Sequence, residues 1–325
     1  MATFTIRFDL RIPPFAEVTH AQQYAACLDQ SAWADQHGFT SVVLSEHHGV
    51  DDGYLPAPLA LAGAVLGRTQ RAMVSVSALL IPLHDPIRLA EEIAVLDLVS
   101  PGRITIVAGI GYRQEEFDMA GIERAGRGKV LEEYIGVMRQ AWTGQPFTWR
   151  GRTVRVTPPP ATQPHPLILI GGSTDVAAKR AARLGLPFMP AIGDRALADV
   201  YRVECAQVGF EGGWVLLPKG PGFVHVSEDP ERTWNRIGPH ALYDAQTYAS
   251  WQTPGQRSQV HVAANSVADV RTSGVYRVVT PDECVALAGE AGLVFHPLMG
   301  GMDPDLGWES LELFGAKVLP RLTAA

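Results

Sequence analysis

Three short stretches of the chain carry residue types that could do chemistry. Ser45-Glu46-His47-His48 sets two imidazoles beside a carboxylate. A histidine oriented by a carboxylate serves as an acid/base group or hydrogen-bond donor near neutral pH. Neighbouring side chains of an extended segment point to opposite sides, so the two imidazoles cannot close on one metal ion. The competing use of these histidines is a solvated loop. Gly171-Gly172-Ser173-Thr174-Asp175 places small residues at a helix start. Backbone amides there can approach an anion, and the helix N-terminus favours negative charge, so this is a candidate phosphate seat. Ser173 could equally be spent on capping the helix. The third stretch is Gly109-Ile110-Gly111-Tyr112. It does not complete a GxGxxG fingerprint, because residue 114 is Gln, and its glycines read as room for a flat ligand close to the backbone. Arg113, Glu115 and Glu116 just behind it read as solvated loop charges.

Each stretch follows a strand pattern. Alternation in Phe4 to Phe8 and the β-rich runs Ser41 to Leu44, Met73 to Leu80, Ile104 to Ala108 and Pro166 to Ile170 predict five strands. Leu186 to Ala191, Phe223 to Val226 and Leu293 to Phe295 predict three more. Helical patterns lie between most of them, with Asp85-Pro86, Asp229-Pro230 and Thr280-Pro281-Asp282-Glu283 as helix starts. Trp149 to Val154 reads as a surface hairpin. Eight strands in β-then-α alternation predict one α/β domain over residues 1–325, a (β/α)8 TIM barrel. Its chemistry belongs at the C-terminal ends of the strands, where all three stretches fall. Residues 230–280 read as an insertion over the barrel mouth. Trp234 and Trp251, flanking Tyr243 and Tyr248, form either a pocket or lid packing. The small residues Ser75-Val76-Ser77-Ala78 make a thin patch of wall against which a flat ring could lie.

Composition narrows the function classes. The chain has 325 residues, 46% of them hydrophobic and 19% charged, which is globular composition. Its net charge of −7 comes without a basic cluster, so neither nucleic acid nor an acidic membrane is an expected partner. No apolar run approaches the roughly 20 residues that cross a bilayer. Met1 to Pro14 carries Arg7, Asp9 and Arg11 and does not read as a signal peptide. Cys27, Cys205 and Cys284 are far apart, without disulfide or zinc spacing. The expectation is a cytoplasmic protein without a metal.

With these stretches in order, the chain resembles the luciferase-like flavin-dependent oxidoreductases, the superfamily of the bacterial luciferase chains. The resemblance rests on Ser45 to His48, on the Pro82 to Gly102 run with His84 to Glu92, on Gly109 to Phe117, on Gly171-Gly172-Ser173 with Ala181 to Gly185, and on Trp308 to Phe314. It implies a barrel, dimeric, that binds reduced FMN or the deazaflavin F420. It also implies a cis peptide at Ser77-Ala78 beneath the flavin ring, Gly109 and Gly111 against the cofactor, His47 as the active-site histidine with Glu46 beside it, and Gly172, Ser173 and Thr174 near the phosphate. One position departs from the pattern: Ile110 stands where FMN-binding luciferase chains have a phosphate-gripping arginine, for which Arg113 or Lys129 could substitute. The implied activity is a monooxygenase acting on a small organic molecule with reduced FMN and oxygen, a separate flavin reductase as partner, and His47 protonating or stabilising the intermediate. F420-dependent hydride transfer and a non-catalytic flavin- or ligand-binding barrel are the alternatives.

Overall fold

The computed structural model describes residues 2–253 and 255–323. Strand β1 (Phe4–Phe8), helix α1 (His20–Gln36) and strand β2 (Ser41–Leu44) come first. Then follow α2 (Pro58–Arg68), β3 (Met73–Leu80), α3 (Pro86–Val99), β4 (Ile104–Gly109), α4 (Gln114–Ala120) and α5 (Arg127–Ala141). The hairpin β5 (Phe147–Trp149)/β6 (Arg152–Val154) leads to β7 (Leu167–Gly172), α6 (Asp175–Arg183), β8 (Phe188–Pro190) and α7 (Arg195–Val208). The last part holds β9 (Phe223–Val226), α8 (Pro230–Ser250), α9 (Val267–Thr272), β10 (Tyr276–Val279), α10 (Pro281–Glu290), β11 (Leu293–Phe295) and α11 (Pro304–Leu313). The helix starts follow the cap-and-proline signals. Asp85 accepts from the amides of Ile87 and Arg88, Asp229 from Arg232, and Thr280 forms a capping box with Glu283.

The chain divides into two compact units, one of residues 1–43, 50–55 and 218–325, the other of residues 44–49 and 56–217. In the second unit β3, β4, β7 and β8 are parallel neighbours in that order. All six residues of β4 are buried, as expected for a parallel strand covered on both faces. Helices connect these strands, so the alternation of the sequence is the alternation of the fold.

In the first unit the order is β10-β9-β11-β1-β2, with parallel pairing of β1 to β11 and of β9 to both β10 and β11. Strand β10 makes the strands of the large sheet nine rather than eight among the described residues. Residues 230–280 are therefore more than an inserted segment. They supply the 21-residue helix α8, α9 and this extra strand. The run Tyr276-Arg277-Val278-Val279 is only four residues long, which is why a polar-rich stretch hid it.

At the end of β1 the first unit buries an ionic cluster. Arg11 is fully enclosed, with Nε 3.2 Å from Asp9 Oδ2, and with Asp52 and Asp244 carboxylate oxygens at 3.9 and 3.8 Å. Tyr54, Tyr248 and Trp251 surround its guanidinium at 4.6–5.2 Å from their ring centres. Tyr243 donates to Asp52 and Tyr276 to Asp244. Thus Tyr243, Tyr248 and Trp251 pack a polar core, while Trp234 joins an apolar cluster with Phe223, Ile237 and Met299.

Candidate active site

The second unit contains every residue that the sequence singled out for chemistry. Strand register brings the pieces to one level: Leu80 of β3 lies beside Gly109 of β4, and Ala108 of β4 beside Ile170 of β7. Glu46 joins them, since its Oε2 accepts the Leu80 amide at 2.5 Å. Glu46, Gly111 and Gly172 therefore gather at the C-terminal rim of this sheet, where the fold places chemistry.

Two glycines are required by geometry. A Cβ on Gly109 would come within 2.8 Å of the Ala78 Cβ, so a side chain there would push β3 away from β4. Ser77-Ala78 is a cis peptide, and the β3–β4 register shifts beside it. Gly172 has φ +141°, and a Cβ on it would lie 2.6 Å from the Ala177 Cβ. Ser173 is buried next to it. Thr174 is occupied as the N-cap of α6, its hydroxyl accepting from the Ala177 amide at 3.3 Å. Its side chain is thereby held by the helix, and only its surroundings remain for a phosphate.

The adjacent histidines go to different carboxylates, as opposite-facing side chains must. His47 Nδ1 lies 2.7 Å from Glu116 Oε1, and both residues are buried. A carboxylate only accepts, so Nδ1 carries the proton and Nε2 faces the Tyr112 hydroxyl at 3.2 Å. The His48 amide also donates to Glu116 Oε1, at 3.1 Å, and Arg113 Nη1 donates to the His48 carbonyl while lying 3.6 Å from the same carboxylate. Glu116 is 1% exposed, so the reading of it as a solvated loop charge is overturned. It stands beside the fully buried Phe117 in the first turns of α4, and that turn carries it inward while Glu115 stays outside. Arg113 is likewise enclosed rather than solvated.

Both carboxylate oxygens of Glu46 accept hydrogen bonds. Its Oε1 is shared by His48 Nε2 at 2.9 Å and His84 Nε2 at 2.7 Å. Burial pushes its carboxyl up, but the hydrogen bonds from His48, His84 and Leu80 outweigh this and hold it down at about 2. The same contacts raise the His84 pKa against its own burial. Glu46 thus ties the segment after β2 to the end of β3. Its folded-state pKa lies below its ordinary 4.5, so its contribution to stability is complete above about pH 4.5 and is lost as the pH falls toward 2. A shift of that size corresponds to about 3 kcal/mol. Glu46→Gln should flatten the acid limb of a urea-denaturation pH series between pH 5 and 3; an unchanged limb would show that Glu46 is not held this way.

A cationic group completes the rim. Arg127 Nε donates to the Gly111 carbonyl at 3.0 Å. Burial, then the nearby Arg124 and Arg180, depress the Arg127 pKa. The sequence carried no sign of Arg180, because it arrives from α6, 52 positions further along the chain than Gly128. These donors fit a phosphate-bearing flavin: glycine-lined backbone for a flat ring, a buried histidine with its carboxylate, and arginines for an anion.

The profile of the luciferase-like monooxygenases matches residues 8–290, and the chain belongs to that family. It has the α/β barrel fold of its structural relatives. The chain is 33% identical over 198 residues to an F420-dependent glucose-6-phosphate dehydrogenase from Nakamurella multipartita, covering 56% of this chain and 57% of the relative. It spans about half the length of the curated relatives that it matches. Among solved structures, the monooxygenase RslO1 from Streptomyces bottropensis superposes with a TM-score of 0.77 at 23% identity, over 98% of this chain and 99% of the other. The oxygenating constituent of 3,6-diketocamphane monooxygenase from Pseudomonas putida, in complex with FMN, gives 0.72 at 17% identity, over 99% and 98%. No helix among the described residues is long and apolar enough to cross a membrane.

Proposed function

We propose that this enzyme is a flavin-dependent monooxygenase that uses reduced FMN and oxygen on a small organic substrate. The observation that carries this reading is the buried His47–Glu116 pair, 2.7 Å apart, with Tyr112 on the other imidazole nitrogen at 3.2 Å, beside the ends of β3 and β4. The bound reduced flavin supplies the electrons for the reaction with oxygen. The chain positions the reactants, keeps water away and handles a proton. Glu116 holds His47 in one tautomer and stabilises the imidazolium formed when Nε2 takes up a proton. Tyr112, on that nitrogen, is the adjoining hydroxyl through which a proton is passed or returned. Gly109 lets β4 approach Ala78 closely, in the stretch of small residues against which a ring would lie.

The relationship to an F420-dependent dehydrogenase favours a second reading, hydride transfer without oxygen. Titration of the purified protein with FMN and F420, with oxygen uptake measured beside turnover, decides between them. Flavin binding with oxygen consumption supports the monooxygenase; F420 turnover without oxygen uptake replaces it. Absence of binding by either cofactor would remove both readings.

We further propose a cytoplasmic homodimer supplied with reduced flavin by a separate reductase. Exposed Val95 and Val99 repeat at i, i+4 on α3, with Leu98 beside them, and an apolar surface of that kind favours association. Light scattering should give about twice the 35.1 kDa chain mass at micromolar concentration; a stable monomer would reject the dimer.

A further inference from the structure

We propose that the groove between α1 and α11, walled by two tryptophans and rimmed by carboxylates, binds a methylated ammonium cation. The site lies wholly within the first unit and is independent of the flavin reading.

The groove has a volume of about 540 Å³ and is lined by Trp33 of α1 and by Asp305, Trp308, Glu309 and Glu312 of α11. Helical spacing explains the lining. Positions 305, 308, 309 and 312 follow i, i+3, i+4 and i+7, so they share one face of α11, while Leu306, Ser310 and Leu311 are buried on the other. Both indoles are half-buried, with the three carboxylate residues exposed around them.

The indoles form a fixed corner. Their ring centres are 6.3 Å apart and their planes stand at 82°. Trp33 is braced by groups that do not line the groove. His37 stacks on it with ring centres 3.8 Å apart, and its Nδ1 donates to the Trp33 carbonyl at 2.8 Å. Phe39 meets the same indole edge to face at 5.9 Å. The turn after α11 also comes close because residue 315 is glycine: a Cβ there would lie 3.0 Å from Trp33 Cζ2. The corner therefore stands ready without a ligand, and a ligand that enters it pays little ordering entropy.

The charges select a cation. Arg236 neutralises Glu309 through two hydrogen bonds, at 2.6 and 2.9 Å. Asp305 and Glu312 have no ion-pair partner among the described residues, so two negative charges are left over. Among the described residues no carboxylates gather closely enough to hold a metal ion. The aromatic walls decide which cation fits. An indole face attracts positive charge but cannot replace the water around a primary ammonium. A methylated ammonium is weakly hydrated, and its methyl groups pack on the two ring faces while the carboxylates supply the long-range attraction.

Choline is the probe, followed by ligand-observed NMR on the full chain at low ionic strength, where exposed charges act least screened. Its neutral isostere 3,3-dimethyl-1-butanol, ethanolamine and N-acetylarginine amide are the comparisons. Wild type should bind choline saturably with a Kd of about 1 mM, and the isostere and ethanolamine about tenfold more weakly or worse. Trp308→Leu should weaken choline about tenfold. Asp305→Asn/Glu312→Gln alters exposed side chains only and should weaken it about fivefold. Unchanged urea midpoints confirm that both variants fold. Absence of saturable binding, or equal choline affinity in wild type and the double variant, overturns the site. Equal affinity for the neutral isostere shows that charge is not read and overturns it too. Ethanolamine binding as tightly as choline overturns the methylated class. Tighter binding of N-acetylarginine amide would give the groove to a guanidinium of another protein. Loss of self-association in Trp308→Leu, read by light scattering, would give it to a second copy of this chain. Either result overturns the proposal.

Discussion

His47→Ala is expected to lower turnover by about 10²–10⁴-fold, the range for losing a positioned acid/base group, while FMN affinity stays within a few-fold of wild type. The separation follows from geometry. His47 faces Tyr112 and Glu116, whereas the candidate phosphate seat is the turn at Gly172 and Ser173 before α6. Glu116→Gln keeps an acceptor for the Nδ1 proton but removes the charge that stabilises imidazolium, so a drop of about tenfold or more in turnover is expected. His48→Ala should do much less, because its ring belongs to Glu46 and not to Glu116. Steady-state and single-turnover kinetics on the three variants check this order. Unchanged turnover in His47→Ala would remove the residue from the mechanism. A His48→Ala loss as large as that of His47→Ala would mean that the Glu46 side of the pair carries the chemistry.

Arg11→Met is expected to destabilise the protein by about 3–5 kcal/mol, the cost of breaking a buried ion pair by removing one partner. Met occupies much of the volume of the lost side chain, so the effect reports charge rather than a cavity. Asp9, Asp52 and Asp244 would be left around an apolar group, and the aromatic faces of Tyr54, Tyr248 and Trp251 would lose their cation. Burial by itself raises the Asp9 pKa, but His296 and Arg11 outweigh it and hold the carboxyl well below the ordinary range. With its folded pKa depressed, Asp9 contributes stability above its unfolded pKa and loses it on acidification. The variant should therefore show both a lower urea midpoint and a weaker acid dependence than wild type. A change below about 1 kcal/mol would show that water already screens the cluster.

Periodicity and punctuation determined much of this protein before any tertiary information. The continuous apolar run Pro166 to Ile170 reads as a strand covered on both faces, and Asp85-Pro86 or Thr280-Pro281 can start a helix from local hydrogen bonding alone. These local signals, with glycines at the strand ends, were enough to place His47, Gly109 and Gly172 at a C-terminal rim. Strand β10 escaped because four residues in a polar context carry too short a period to recognise. The partners of the site also escaped, for a different reason. Whether Glu115 or Glu116 turns inward depends on the helical phase set by Phe117 against the core. That Glu46 is anchored by His48, His84 and Leu80 depends on β2 and β3 ending at the same level. That Arg180 stands beside Gly128 depends on how α6 lies against α5. Each is a contact between segments distant in sequence, and the energy that selects it comes from packing and ion pairing, which no local pattern records. The sequence by itself determined which elements form and where chemistry could sit; the tertiary structure alone decided which charges are buried together there.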